Sequence, residues 1–304
     1  MRIVVHGQQA FGKSVLEALL ERGEDVVAVY CAPDKEDRPI DPIKELALEK
    51  HILVYQPSSY SDDSVCDELS SLSPDLVVMA YVTLFVKEEF LNIPTYGTIQ
   101  YHPSLLPLHR GPSSINWPII QGSKKTGISI FWPDNGLDTG PILLQKEVDI
   151  EECDTLGSLY FNRLFPLGVE AMLESVDLVR DGNAPKVVQD DSLATYESWC
   201  KKEDVEIDWS ATMEEIYNLI RGANPQPGAW TTHEGGVFKI FDCVKTPDVT
   251  GNPGEVVSTG EEGLVVATRD GGICIQRVRP EGEGKMPVQE YISTHSVEVG
   301  SRMG

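Results

Sequence analysis

The segment Gln100-Tyr101-His102-Pro103-Ser104-Leu105-Leu106-Pro107-Leu108-His109-Arg110-Gly111 contains the side chain best suited to chemistry, a histidine followed by a proline-stiffened loop. An imidazole titrates near neutral pH and can take or give a proton, and the prolines restrict the loop, so a catalytic group there is held still. Further along, Phe131-Trp132-Pro133-Asp134-Asn135-Gly136-Leu137-Asp138-Thr139-Gly140 is an apolar run that breaks into a polar loop bearing a carboxylate. If the strands carrying the two segments are neighbours, Asp138 orients the His102 ring and favours its cation, which makes a tuned acid–base pair. Plainer roles are open to both: a strand-end histidine commonly only bonds backbone, and Asp138 can cap its own turn. Arg110 can meet an anionic part of a ligand or pin the proline loop to a carboxylate.

Other chemistries are poorly served. Gly7-Gln8-Gln9-Ala10-Phe11-Gly12 sits where a dinucleotide-binding loop belongs, but it lacks the middle glycine, and no acidic residue closes the next strand. No nicotinamide cofactor is expected, and the glycines are read as turning the chain from strand to helix. The six cysteines (Cys31, Cys66, Cys153, Cys200, Cys243, Cys274) form no CxxC pair and have no histidine cluster nearby, so neither zinc nor a disulfide framework is expected. No metal site is expected at all. The apolar runs 3–5 and 76–80 are too short to span a bilayer, and the N-terminus lacks a secretory pattern, so a cytoplasmic protein is expected.

Around these residues short β-branched runs alternate with amphipathic segments: strands at 2–7, 26–30, 53–55, 76–79, 97–101 and 126–132, and helices at 14–22, 42–50, 62–72 and 156–180. Repeated βα units predict an α/β, Rossmann-like parallel sheet with helices on both faces, whose carboxyl edge carries His102. After about residue 205 a helix at 212–220 precedes short segments at 237–241, 254–257, 264–267, 273–278 and 297–300, which predicts a small OB-like β-barrel. The expected domains are 1–188 (catalytic), 189–204 (linker) and 205–304 (barrel).

His102-Pro103-Ser104-Leu105-Leu106-Pro107 with Arg110-Gly111, followed by Gly136-Leu137-Asp138-Thr139-Gly140, resembles the paired signature of formyltransferases that use 10-formyltetrahydrofolate. The resemblance runs on through Ile207-Asp208-Trp209, Ile220-Arg221-Gly222, Pro227-Gly228-Ala229-Trp230 and Lys285-Met286-Pro287. Within that family, Tyr101-His102-Pro103-Ser104, Ser114-Ile115-Asn116-Trp117, Ile130-Phe131-Trp132 and Ala194-Thr195-Tyr196-Glu197 look more like the hydrolase domain of 10-formyltetrahydrofolate dehydrogenases than like methionyl-tRNA formyltransferases. The aldehyde-dehydrogenase half has no counterpart in this sequence, so only formyl removal or transfer is implied.

The resemblance implies His102 and Asp138 as catalytic residues. Gln100 stands where the transferases carry an oxyanion-stabilising asparagine, and its amide either serves that role or bonds a neighbouring loop. A pterin pocket is implied from Met79, Ala80, Tyr81 and Leu84 with Asp134, Asn135, Gly136 and Leu137; Met79 and Leu84 read equally well as core. Ser104 and Arg110 are implied at the substrate. The formyl donor is then 10-formyltetrahydrofolate, without NAD or metal.

Charge bears on the acceptor. The chain holds 25 Lys and Arg against 48 Asp and Glu, a formal net charge of -23. Residues 205–304 alone hold 8 against 15. Such a surface repels phosphate backbones and anionic lipids. The loop 33–39 is short and mixed in charge, where the tRNA enzymes resemble one another in a longer basic insertion. Formyl removal with water or a small amine as acceptor is therefore expected, with methionyl-tRNA formyltransferase as the alternative and a non-catalytic folate-binding protein as the alternative of another class.

Overall fold

A computed structural model of the chain describes residues 1–36 and 38–304. Asp37, part of the loop 33–39 weighed above, lies outside the described residues. The chain forms two compact units of non-contiguous segments: 1–114, 127–148 and 161–196 make one, and 115–126, 149–160 and 197–304 the other. Residues 189–196 of the expected linker thus group with the first unit, and two short segments from before residue 188 group with the second.

The first unit is built on a seven-stranded sheet ordered β3-β2-β1-β4-β5-β6-β7. In chain order its elements are β1 (Arg2–Gly7), α1 (Gln9–Glu21), β2 (Asp25–Tyr30), α2 (Pro42–Glu49), β3 (Leu53–Tyr55), α3 (Asp63–Ser71), β4 (Leu76–Ala80), α4 (Glu88–Leu91) and β5 (Thr98–His102). The β-branched runs of β1 and β4 are buried on both faces, as strands sandwiched between helices must be. Asp41 and Asp62 cap α2 and α3 by accepting the amides of Ile43 and Ser64. Gly7 and Gly12 answer to packing: a Cβ at Gly7 would lie 2.6 Å from the Ala80 carbonyl oxygen and 3.2 Å from the Gly12 Cα. They let β1 and α1 close on β4.

The parallel expectation holds from β3 to β5 and fails beyond. β6 (Lys125–Phe131) runs antiparallel to β5. The residues between them hold only the short helix α5 (Asn116–Ile120), not the long crossover that a parallel return requires. β7 (Ile142–Asp149), absent from the sequence reading, closes the sheet, and along it only Leu143 is buried. The helix expected over 156–180 is not continuous: α6 (Leu156–Leu159) passes through a π-helical turn, Tyr160–Leu164, into α7 (Phe165–Arg180). Pro166, in the first turn of α7, has no amide for the residue four before it, and the widened turn absorbs the mismatch.

In the second unit α8 (Met213–Gly222) starts from a reciprocal Thr212–Glu215 cap and packs on an antiparallel sheet. The sheet comprises β8 (Ala229–His233), β9 (Gly236–Thr246), β10 (Val256–Gly260), β11 (Gly263–Ala267) and β12 (Gly272–Pro280), ordered β10-β11-β12-β9-β8, with β13 (Met286–Pro287) paired to β12. Register shifts along β10 and β12 bend it, as bulges do in a small barrel. Phe238, Ile240, Val266 and Ile275 meet Ile216 and Ile220 in its core, and α9 (Val288–Thr294) adds Val288 and Tyr291. No strand forms at 297–300. That stretch turns so that Gly300 and Ser301 bond Val256 and Met303 is buried, which draws on side-chain burial rather than on β pattern.

Candidate active site

Gln100 and His102 are two residues apart on β5 and so share one sheet face, while Tyr101 points to the other. There Tyr101 stacks on Phe11, ring centroids 4.2 Å apart, and contacts α7 at Gly168. On the open side of the strand β6 sets Ser129 beside His102 and Phe131 beside Gln100. The chain between β6 and β7 then brings Asp138 back to the histidine.

His102 Nδ1 lies 3.6 Å from Asp138 Oδ2, and both side chains are buried. The other ring nitrogen, Nε2, is 2.9 Å from the His109 carbonyl oxygen. A carbonyl only accepts, so Nε2 donates, and in the neutral ring the lone pair sits on Nδ1 facing the carboxylate. Asp138 Oδ2 also accepts the Gly111 amide at 2.9 Å. Two acceptors thus face each other at a separation longer than a direct hydrogen bond, an arrangement suited to receiving one proton. Gln100 is half-buried, and its side chain makes no hydrogen bond among the described residues. In register beside it, across β4 and β1, lie Met79 and His6.

Of the seven non-glycine residues with positive φ among the described residues, four follow β1, β4, β5 and β6: Gln9 (56°), Tyr81 (65°), His109 (55°) and Asp138 (56°). L-residues are held there only when surrounding bonds impose it, and such backbone concentrates at functional sites. Gly140 is equally constrained, since a Cβ would lie 1.7 Å from the Trp132 carbonyl oxygen.

The residues expected around a pterin divide into two groups. Tyr81 (39% exposed), Leu84 and Leu137 (57%) present apolar surface, whereas Met79 and Ala80 are buried and Met79 belongs to a core cluster with Tyr30, Tyr60 and Phe90. Asp134 Oδ1 accepts the Gly136 amide and the Thr139 hydroxyl, shaping the loop, and the Asn135 amide donates to the Glu88 carboxylate. Ser104 and Arg110 do not face outward as the substrate role requires. Ser104 is fully buried with its hydroxyl donating to the Leu108 carbonyl at 2.7 Å. Arg110, 2% exposed, donates to Asp191 (2.7 Å), to Tyr196 (2.9 Å) and to Gln189. Burial works against its charge, but the bonds to Asp191 and Tyr196 outweigh burial and hold the guanidinium above its ordinary value. Of its two sequence roles, the pinning one is what the geometry contains. Gln189 and Thr195, both in contact with these loops, were not singled out as site residues, because a polar stretch reads as an exposed linker.

Among the described residues no group of three or more His, Cys, Asp or Glu is placed to hold a metal ion, and no helix is long and apolar enough to cross a membrane. None of the six cysteines is disulfide-bonded.

Residues 1–176 match the formyl transferase family, and residues 200–296 match the formyl transferase C-terminal domain. The chain is 38% identical over 314 residues to the mitochondrial 10-formyltetrahydrofolate dehydrogenase of Homo sapiens, covering 98% of this chain and 34% of that protein. It therefore spans about a third of the length of the dehydrogenases it matches. It is 37% identical over 309 residues to the methionyl-tRNA formyltransferase of Geobacter sulfurreducens, covering 100% of this chain and 97% of that one. Two solved structures share the fold. HypX from Aquifex aeolicus in complex with tetrahydrofolic acid superposes with a TM-score of 0.69 at 19% identity, over 99% of this chain and 50% of that one. The sugar 3N-formyl transferase WlaRD does so with a TM-score of 0.70 at 18% identity, over 93% and 99%.

Proposed function

Because the chain belongs to the formyl transferase family, and is thereby an enzyme of formyl-group transfer from formyl-tetrahydrofolate, we propose that it removes the formyl group of 10-formyltetrahydrofolate with water, or less favourably a small amine, as acceptor. The observation that carries the chemistry is the buried His102–Asp138 pair, with Nε2 committed to a carbonyl and Nδ1 left to work. The acceptor oxygen bonds to the formyl carbon while its proton passes to Nδ1, and Asp138 stabilises the imidazolium that forms. The carbonyl electrons collect on the formyl oxygen, where the Gln100 amide is the available side-chain donor, a contribution of about 3 kcal/mol. Collapse breaks the bond from carbon to N10, the proton returns from Nδ1 to N10, and formate and tetrahydrofolate leave. The apolar surface of Tyr81, Leu84 and Leu137 suits a pterin ring.

The choice of water rests on the net charge of -23, which works against any polyphosphate acceptor. Tetrahydrofolate formation followed spectroscopically without an added acceptor tests it: turnover that vanishes in His102→Ala is the expected result, and absence of turnover in the wild type overturns it. A second reading, methionyl-tRNA formyltransferase, draws support from the end-to-end match to the Geobacter sulfurreducens enzyme. Filter binding of charged initiator tRNA at moderate salt separates the two, since micromolar or tighter affinity favours the tRNA reading.

A further inference from the structure

We propose that Gln189 is a positioning residue for the His102–Asp138 pair, acting as the buried node of a strap, residues 189–196, that ties the two catalytic loops together; this rests on the reaction proposed above. Gln189 is 7% exposed, and its carboxamide is saturated. Nε2 donates to the carbonyls of Asp138 (2.9 Å) and Gly140 (2.7 Å), and Oε1 accepts Nε (3.2 Å) and Nη2 (2.8 Å) of Arg110. Two donors and two acceptor sites are all that a carboxamide has, so glutamate, which lacks the donors, cannot replace it.

Two of the bonds fall on backbone carbonyls of the Asp138 loop and two on the guanidinium of Arg110. One set grips Asp138 itself, whose φ of 56° needs outside support. The other grips Arg110, next to the His109 carbonyl that fixes His102 Nε2. Thr195 reinforces this side: its hydroxyl accepts the His109 amide (2.8 Å), its carbonyl the Arg110 amide (3.0 Å), and its own amide donates to the Pro107 carbonyl (3.2 Å). The bond from the Gly111 amide to Asp138 Oδ2 closes the circuit. Beside that bond, Gln189 holds the two loops from outside, since it bonds both. A misplacement of this pair by a fraction of an ångström is enough to slow a proton transfer.

The test uses the full chain with Gln189→Leu, which removes all four bonds, and Gln189→Glu, which keeps the Arg110 contacts and so the better prospect of folding. Both are expected to lower kcat at least about tenfold with the folate KM unchanged within about twofold. In an Asp138→Asn background the change at 189 should add almost nothing, because its effect passes through that carboxylate. In 15N-labelled protein the His102 ring-nitrogen resonances, assigned by their loss in His102→Gln, should move in Gln189→Glu while those of His233 stay. Near-normal kcat, unmoved His102 resonances in the folded variant, or a fully additive loss with Asp138→Asn each overturns the proposal. Moved resonances in a protein whose wild type releases no tetrahydrofolate refute the reaction and leave the strap standing.

Discussion

At the scale of single residues, charge and hydrogen bonding at Asp138 can be separated. Asp138→Asn keeps an oxygen for the Gly111 amide but removes the charge that faces the imidazolium. Turnover should fall by at least about a hundredfold with folate binding retained, because the charge matters mainly once His102 is protonated; single-turnover kinetics with a binding isotherm measures both. Gln100→Leu removes the amide and should lower kcat by about a hundredfold, whereas Gln100→Asn should keep most of it. Full activity in Gln100→Leu would assign the oxyanion to backbone amides. His102 and Asp138 were legible as candidates because an imidazole after a strand and a carboxylate in a glycine loop are chemically conspicuous. Gln189 was not, and the two roles of Arg110 stayed open, because a charged or polar side chain looks the same in sequence whether it meets solvent or is buried against partners some 80 residues away, as Arg110 is against Gln189 and Asp191.

At the scale of elements, the packing behind β5 fixes the strand that carries the site. A Cβ at Gly168 on α7 would lie 2.5 Å from the Tyr101 ring and 3.0 Å from Phe11, two rings stacked on each other. Gly168→Ala gains about 1 kcal/mol of helix propensity but forces that stack apart, at a cost of about 1–3 kcal/mol. Net destabilisation is expected in urea denaturation, and kcat should fall as well, since Tyr101 stands between Gln100 and His102. The strands from β1 to β5 and the helices α1 to α3 were readable from β-branched runs and periodic apolar residues, whereas the four-residue α4 was not among the helices read. β6 was read as a strand but not as an antiparallel one, because direction depends on the connection and not on the strand's composition. β7 hid because only one of its residues is buried, and the helix break at Tyr160–Leu164 because its mark in the sequence is a single five-residue step between the buried Leu159 and Leu164.

At the scale of the whole molecule, acid should loosen the fold through a residue outside the chemistry. His6 on β1 is buried among Tyr30, Tyr60 and Phe90, its Nε2 2.8 Å from the Tyr60 hydroxyl, and burial pushes its pKa from 6.5 down to about 3. The unfolded chain takes up a proton near pH 6.5 that the folded chain refuses until about pH 3. Between those values the unfolded state binds more protons, so this contribution is complete above pH 6.5 and is lost as pH falls, by up to about 1.4 kcal/mol per pH unit. His6→Phe should flatten that slope, so urea denaturation at pH 7 and pH 5 should differ less in the variant than in the wild type. The strap carries a consequence of chain order. Synthesis delivers His102 first, Asp138 next and residues 189–196 last, so on the ribosome the pair exists long before the segment that holds it in register has emerged. A nascent chain halted before Gln189 is expected to carry both members of the pair but to turn over at least about tenfold more slowly than the full chain, so the full rate waits on a segment that performs none of the chemistry.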